Sequence, residues 1–223
     1  MFRVIRVHPN LVVGDGGPAT VASRKWPSQP VHLLQGELDG ACGQHCAFMA
    51  LLALGVARRR ALRRALSGRS HRGIARMRRM ALRSWHDGAS VYEMARLLAP
   101  LRKRVGVQVS RASGGALISF VLGHLAQSNL VVVGISNAKA DFDHWVLAVG
   151  SAGVQAGHKV VTDQILVLDP GWPPAATAQW NGVLDTRRIS KRARARLYRD
   201  ADGNQTPVKV KHALAIGLLA KRA

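Results

Sequence analysis

Residues 35–55 read QGELDGACGQHCAFMALLALG. A loop of glycines and acids runs into Ala41-Cys42-Gly43 and then into an unbroken apolar run. Ala47, Phe48, Ala50, Leu51 and Leu54 recur at helical spacing, which predicts a buried helix that closes near Gly55. Cys42 then stands in the first turn, where free backbone N–H groups and the positive end of the helix dipole favour a thiolate. The thiolate is the nucleophilic form of cysteine, so chemistry can start here. The same residues also read as a small cysteine packed into a core, and the stretch by itself leaves both readings open.

Outward from this stretch, 223 residues with 48% hydrophobic content are enough for one domain, residues 1–223, with a sizeable core. The charge balance is unusual: 33 Lys and Arg oppose 12 Asp and Glu, a formal charge of +21. Arginines number 25 and glutamates only two. Such a chain favours anionic partners: nucleic acid, an acidic peptide or protein, or a membrane surface. Cys42 and Cys46 do not make a disulfide framework, which points to a reducing compartment. The N-terminus lacks the apolar core of a signal peptide, and no apolar run approaches the roughly 18 residues of a membrane span. A cytoplasmic location is expected; export by a leaderless route would leave no mark of this kind.

Along the chain, residues 2–8 alternate like an edge strand, and 14–30 read as a loop within an N-terminal extension, 1–30. Residues 57–83 hold eleven arginines and no acid; Ala, Leu and Met recur between them, predicting two short helices broken at Ser67-Gly68. Ser90 and Glu93 form a capping-box pattern. Its helix runs through Met94, Leu97 and Leu98 towards Pro100, and a further buried helix is expected over 114–127. From Asn129 the texture changes. Residues 129–136, 144–150 and 159–169 read as strands, and 196–199 with 207–216 as a final hairpin, within a basic C-terminal extension, 186–223. Helices first and strands second predict an α+β domain, an antiparallel sheet against a helical half.

A cysteine opening a helix, a histidine opening a strand and an acid ending the next strand follow one another in order. His144 stands at the lip of the apolar strand HWVLAVG, and Asp169 stands where Pro170-Gly171 ends ILVLD. A hairpin of these strands brings His144 and Asp169 to the same end of the sheet. A thiol needs a base within hydrogen-bond reach, and the base needs an acceptor to fix its tautomer. Gln35 can add a side-chain N–H to the helix-start amides as an oxyanion donor. Asp143 is a second candidate for the acid, while Cys46, His45, His86 and His124 read as packing or surface residues. No Cys/His cluster has metal-ligand spacing, and no metal or cofactor is expected.

Gln35, then DGACGQHCAFM, HWVLAVG and VLDP, resembles the papain-like cysteine peptidases, and among them most the bacteriocin-processing peptidases that cut after a double-glycine leader. The resemblance spans roughly residues 31–185. It implies a papain-like fold with an N-terminal helical half opening on the nucleophile helix and a C-terminal antiparallel sheet. It also implies Cys42 as nucleophile in preference to Cys46, His144 and Asp169 as the other triad members, and Gln35 at the oxyanion. Ala178–Leu184 resembles a Trp-x-Gly segment that follows the family's aspartate. The departures are one extra residue between Gln35 and Cys42, and a longer His-to-Asp interval that implies an extended turn at 151–158. Residues 57–83 and 187–223 have no counterpart.

The expected activity is that of a cysteine peptidase acting on a peptide or protein, after Gly-Gly by resemblance. It would serve as a leader-processing enzyme or as a toxin or effector with an immunity or cognate partner. Triad order alone does not separate peptidases from other Cys-His-Asp enzymes. The competing class is a binding protein: an inactive scaffold, or a basic module docking nucleic acid or an acidic protein through 57–83. Aromatic residues are 5% of the chain and none interleaves with those arginines, which argues against base stacking. Gly16-Gly17 and Gly114-Gly115 are not self-cleavage sites: Pro18 obstructs the first, and the second begins a helix.

Overall fold

A computed structural model describes residues 2–23, 26–36, 39–65, 72–137, 142–190 and 194–219. The chain opens on strands: β1 (Phe2–Val7), β2 (Leu11–Gly14) and β3 (Gly17–Thr20). Then comes α1 (Cys42–Ala53), whose twelve residues are all buried. A helix apolar on every side belongs inside a core rather than on a surface. It ends where Leu54 N–H returns to Ala50 O and Gly55 takes the left-handed conformation (φ +66°) that a glycine adopts without strain.

The Arg-rich segment forms α2 (Arg59–Ala65) and α3 (Arg72–Arg83); the break expected at Ser67-Gly68 lies outside the described residues. In α3, Ile74, Met77 and Ala81 recur at i, i+3 and i+7 and are buried, while Arg76 and Arg79 are exposed. Next, α4 (Val91–Leu98) begins on the expected capping box. Ser90 Oγ accepts the Glu93 N–H at 3.3 Å, and Glu93 Oε2 accepts the Ser90 N–H at 2.8 Å. After a 3₁₀ turn at Pro100 come β4 (Val105–Val109) and α5 (Gly114–Ala126).

Six antiparallel strands follow: β5 (Leu130–Asn137), β6 (Phe142–Ala156), β7 (Lys159–Leu168), β8 (Gly182–Asp185), β9 (Arg196–Arg199) and β10 (Gln205–Leu218). They pair in the order β6-β5-β10-β9-β8-β7, and β7 pairs back with β6, so the sheet closes into a barrel. Closure removes the unpaired edges that an open sheet must protect. The long β6 pairs β5 with its first half and β1 with its second, and β4 pairs with the end of β10.

Alternation along the strands divides the core in two. Side chains of all six barrel strands, including Val133, Val146, Val167, Leu184, Tyr198 and Ala213, form one cluster, the barrel interior, with Leu117, Ile118 and Val121 of α5. The other cluster lays α1, α3 and α4 against Val132, Leu147, Val149, Leu168 and Leu214 on the outer face.

This architecture corrects the expected fold. A papain-like α+β arrangement, with a helical N-terminal half and a separate antiparallel sheet, is not what the chain forms. Strands precede the first helix, β4 interrupts the helical run, and the sheet is a closed six-stranded barrel with two added strands. The helical reading of the first half rested on local periodicity, which says nothing about what β1 and β4 pair with. Residues 14–30, expected as a loop, contain β3. The extended turn expected at 151–158 is instead strand nearly throughout: β6 runs to Ala156 and β7 starts at Lys159. The pair absorbs its irregularity in register shifts at Ala148/Gly150 and Ala152/Gly153. A side chain at Gly153 would lie 2.8 Å from Thr162 Cα, which explains the glycine there.

Candidate active site

Cys42, the first residue of α1, faces the barrel rim where β6 begins and β7 ends. Gly43 lets the helix approach: a Cβ there would collide with Met94 Sδ and lie 3.2 Å from Trp145 Cδ1. One turn on, Cys46 Sγ–H donates to the Trp145 carbonyl at 3.3 Å, tying α1 to β6 one residue beyond His144. The Trp145 indole is held in turn by a hydrogen bond from Nε1 to Ala89 O at 3.0 Å.

The side chains of Cys42, His144 and Asp169 meet. His144 is hydrogen-bonded to the Cys42 side chain, and its Nε2 lies 2.6 Å from Asp169 Oδ1. Asp169 is enclosed on every side. Its Oδ1 also accepts the Gly171 N–H at 2.8 Å, and its Oδ2 accepts the Tyr198 hydroxyl. Its backbone N–H donates to Asn181 Oδ1 at 2.7 Å, and its carbonyl accepts Asn181 Nδ2 at 2.9 Å and faces His32 Nε2 at 2.9 Å. Only 1% of the Asp169 side chain is exposed, so these bonds take the place of water.

The electrostatics follow from that enclosure. Burial by itself would depress the His144 pKa, but the hydrogen bonds and charges of Asp169 and Cys42 outweigh it and raise it to about 10. For Asp169 burial works upward and is overcome by the hydrogen bond and charge of His144, helped by Tyr198 and the Gly171 N–H, so its pKa falls below the ordinary value. Burial, then the Asp169 charge, pushes Tyr198 up, which keeps it a donor. Burial likewise raises Cys46 well above a free thiol.

Gln35 lines the same cleft as Cys42. Its backbone N–H donates to Pro170 O at 2.7 Å, which ties it to the residue after Asp169. Its side-chain Nε2 donates to the Asp39 carbonyl, and its Oε1 is buried without a partner among the described residues. The turn between Gln35 and Cys42 is closed by Asp39, whose carboxylate accepts the Gly36 N–H at 3.0 Å and the Ala41 N–H at 3.1 Å. Gly40 packs on the backbone of residues 86–88.

The cleft has a volume of about 620 Å³. Asp39, Asp87, Glu93 and Asp143 line its wall, facing the cations Lys211 and His144, the latter with its pKa raised to about 10. Asp143 pairs with Lys211 at 3.1 Å, so Asp169 and not Asp143 engages the imidazole. His45 is buried with Nδ1 at 2.9 Å from Ala41 O, and His124 Nδ1 lies 3.1 Å from Asn129 Nδ2.

Sequence reasoning missed Tyr198, His32 and the buried role of Asn181. One signal existed for Tyr198: it is one of two tyrosines, placed mid-strand in RLYR, and a buried phenol requires a partner. Which partner depends on the barrel.

Among the described residues, no arginine of 57–83 lines this cleft. Arg59 Nη1 donates to His32 O at 2.7 Å and to Pro30 O at 3.3 Å, and Arg58 stacks over Trp26. Among the described residues no helix is long and apolar enough to cross a membrane. A comparison of the chain with protein-family models and with curated proteins finds no match.

Proposed function

We propose that the protein is a cysteine hydrolase that cleaves a peptide or protein substrate. The observation that carries this reading is the relay from the Cys42 thiol through His144 to the enclosed Asp169 carboxylate, at the wall of an open cleft. Nucleophile, base and orienting acid stand in the order that thiol chemistry requires. Cys42 Sγ attacks the substrate carbonyl, its proton already held by His144. His144 returns that proton to the leaving amine, which departs as the thioester forms. The same imidazole then draws a proton from water, the hydroxide attacks the thioester, and the acid product leaves with the thiol restored. Asp169 holds the ring in one tautomer and stabilises the imidazolium. The Cys42 backbone N–H and the second N–H of the Gln35 amide, beyond the one given to Asp39, are the oxyanion donors.

The choice of scissile bond rests on the sequence resemblance to double-glycine peptidases. Leader maturation and attack on a foreign protein both accord with such a specificity. The decisive experiment is mass-spectrometric analysis of a peptide library that includes Gly-Gly sequences, incubated with wild-type protein and with Cys42→Ala. Cleavage by the wild type and not by the variant is expected. Equal product with both, or no product with any peptide while Cys42 stays inert to alkylation, would leave a binding protein as the better reading.

A further inference from the structure

We propose that the cavity at the N-terminal end of α5 is an anion subsite that holds an acidic segment of the polypeptide engaged in the cleft. The proposal rests on the cysteine-hydrolase reading only in naming the bound chain as substrate. The cavity, of about 560 Å³, is bounded by Ser113, Gly114 and Gly115, by Arg188, Arg194 and Arg196, and by Lys209 to His212 of β10.

Three independent features call for a negative charge there. First, the start of α5 offers unsatisfied N–H groups: Ser113 makes no capping hydrogen bond, the first turn holds no acid, and two glycines leave the backbone uncovered. Second, cations crowd the positive end of this helix, the reverse of what its dipole favours. Arg188 Nη2 lies within 3.8 Å of where a Gly114 Cβ would be. Third, Arg196 is only 3% exposed, and its Nε donates to Thr186 O at 3.1 Å. Its two terminal nitrogens have no hydrogen-bond partner among the described residues, and none of Arg188, Arg194, Arg196 or Lys209 there pairs with a carboxylate. Burial and the charge of Arg188 both lower the Arg196 pKa, consistent with an uncompensated guanidinium. Neither terminal nitrogen is itself a buried atom, so the guanidinium opens on the cavity with no carboxylate beside it among the described residues, and an incoming anion can pair with it.

A peptide segment fits better than a nucleic acid. Lys211 and His212 line both this cavity and the cleft that holds Cys42, so a chain crossing the thiol continues into it. The sign of the charge reverses at that junction, from carboxylates in the cleft to guanidinium groups beyond. Acidic residues of a substrate are therefore excluded near the scissile bond and accepted one cavity away. Apart from His212, no ring among the lining residues offers a stacking face for a base.

The test uses Cys42→Ala protein, so binding is read whether or not the wild type cleaves. Fluorescein-labelled hexaglutamate is titrated by anisotropy against this protein, against its R188E/K209E derivative and against R76E/R79E. The last makes the same charge change on the exposed face of α3. Because Arg188 and Lys209 are exposed, the buried Arg196 is left in place; R188A/K209A repeats the measurement without charge reversal. Affinity is expected to fall about tenfold or more in R188E/K209E, less in R188A/K209A, and to stay near the parent value in R76E/R79E. Equal losses in both reversal variants would reduce the effect to net charge and overturn the site. Displacement of the peptide by a hexameric oligodeoxynucleotide at far lower concentration than by unlabelled hexaglutamate would overturn the peptide assignment.

Discussion

Tyr198 reaches Asp169 across Gly182. The tyrosine is on β9, the aspartate follows β7, and β8 runs between them. A Cβ on Gly182 would lie 2.6 Å from the Tyr198 hydroxyl oxygen and 3.0 Å from Val167 Cγ2, so the phenol passes over a glycine to donate to Asp169 Oδ2. The Trp-Asn-Gly segment thereby gains a physical meaning: Asn181 clamps the Asp169 backbone, and Gly182 opens the path to its carboxylate.

Removing the hydroxyl alone tests that bond. Tyr198→Phe is expected to destabilise the protein by about 1–3 kcal/mol, because a buried carboxylate oxygen loses its donor. Gly182→Ala is expected to cost about 1–3 kcal/mol by overpacking against the phenol. In a double-mutant cycle read by denaturant unfolding, the two losses should sum to more than the double variant shows, since the alanine methyl then meets no hydroxyl. Strict additivity would mean that Tyr198 does not lie over Gly182.

The two thiols should differ sharply. Cys46 is fully buried and its pKa is raised by burial, whereas Cys42 lies at the cleft wall beside His144. Iodoacetamide at pH 7 is expected to modify Cys42 about a hundredfold faster than Cys46, with His144→Ala removing most of that advantage. Peptide mapping of the labelled protein gives both rates. Similar slow rates for the two cysteines would defeat the proposed nucleophile.

The dependence of stability on pH has a definite sign. Burial opposes the His144 charge, but Asp169 and Cys42 raise its pKa from 6.5 to about 10. Its contribution is complete below pH 6.5 and is lost as pH rises towards 10. The Asp169 contribution, from a lowered pKa, is present above 3.8 and lost as pH falls below it. In a Cys42→Ala background, which keeps only the Asp169 part of that rise, Tm should therefore decline as pH rises above 6.5. Adding Asp169→Asn leaves burial as the dominant influence on His144, so that contribution should reverse and grow with rising pH. Parallel curves for the two proteins would refute the coupling.

Cys46 holds Cys42 and His144 in register: its Sγ–H bond to Trp145 O links α1 to the strand bearing His144. Cys46→Ala is expected to cost about 1–2 kcal/mol in stability and to slow alkylation of Cys42, while Cys46→Ser, which keeps a donor, should restore the alkylation rate more than the stability. A Cys42 rate unchanged in Cys46→Ala would confine Cys46 to packing.

Much of this site is written in short-range pattern. The apolar run after Cys42 makes a core helix, Ser90 and Glu93 cap α4, and Pro170-Gly171 stops β7 so that Asp169 stands at its end. Each depends on residues a few positions apart, where spacing and turn chemistry act directly. Even the meeting of His144 and Asp169 follows from one hairpin. Closure of the barrel does not, because it depends on its last strand, β10, pairing with its first, β5. That pairing joins residues far apart in the chain, and local periodicity is blind to it. The expected helical half therefore gave way to a barrel. Tyr198, Asn181 and His32 meet around Asp169 from separate parts of the chain, as do the arginines and lysines around the start of α5. Local sequence chose the groups that could react; long-range strand pairing decided what surrounds them, because burial and charge are properties of the whole packed chain.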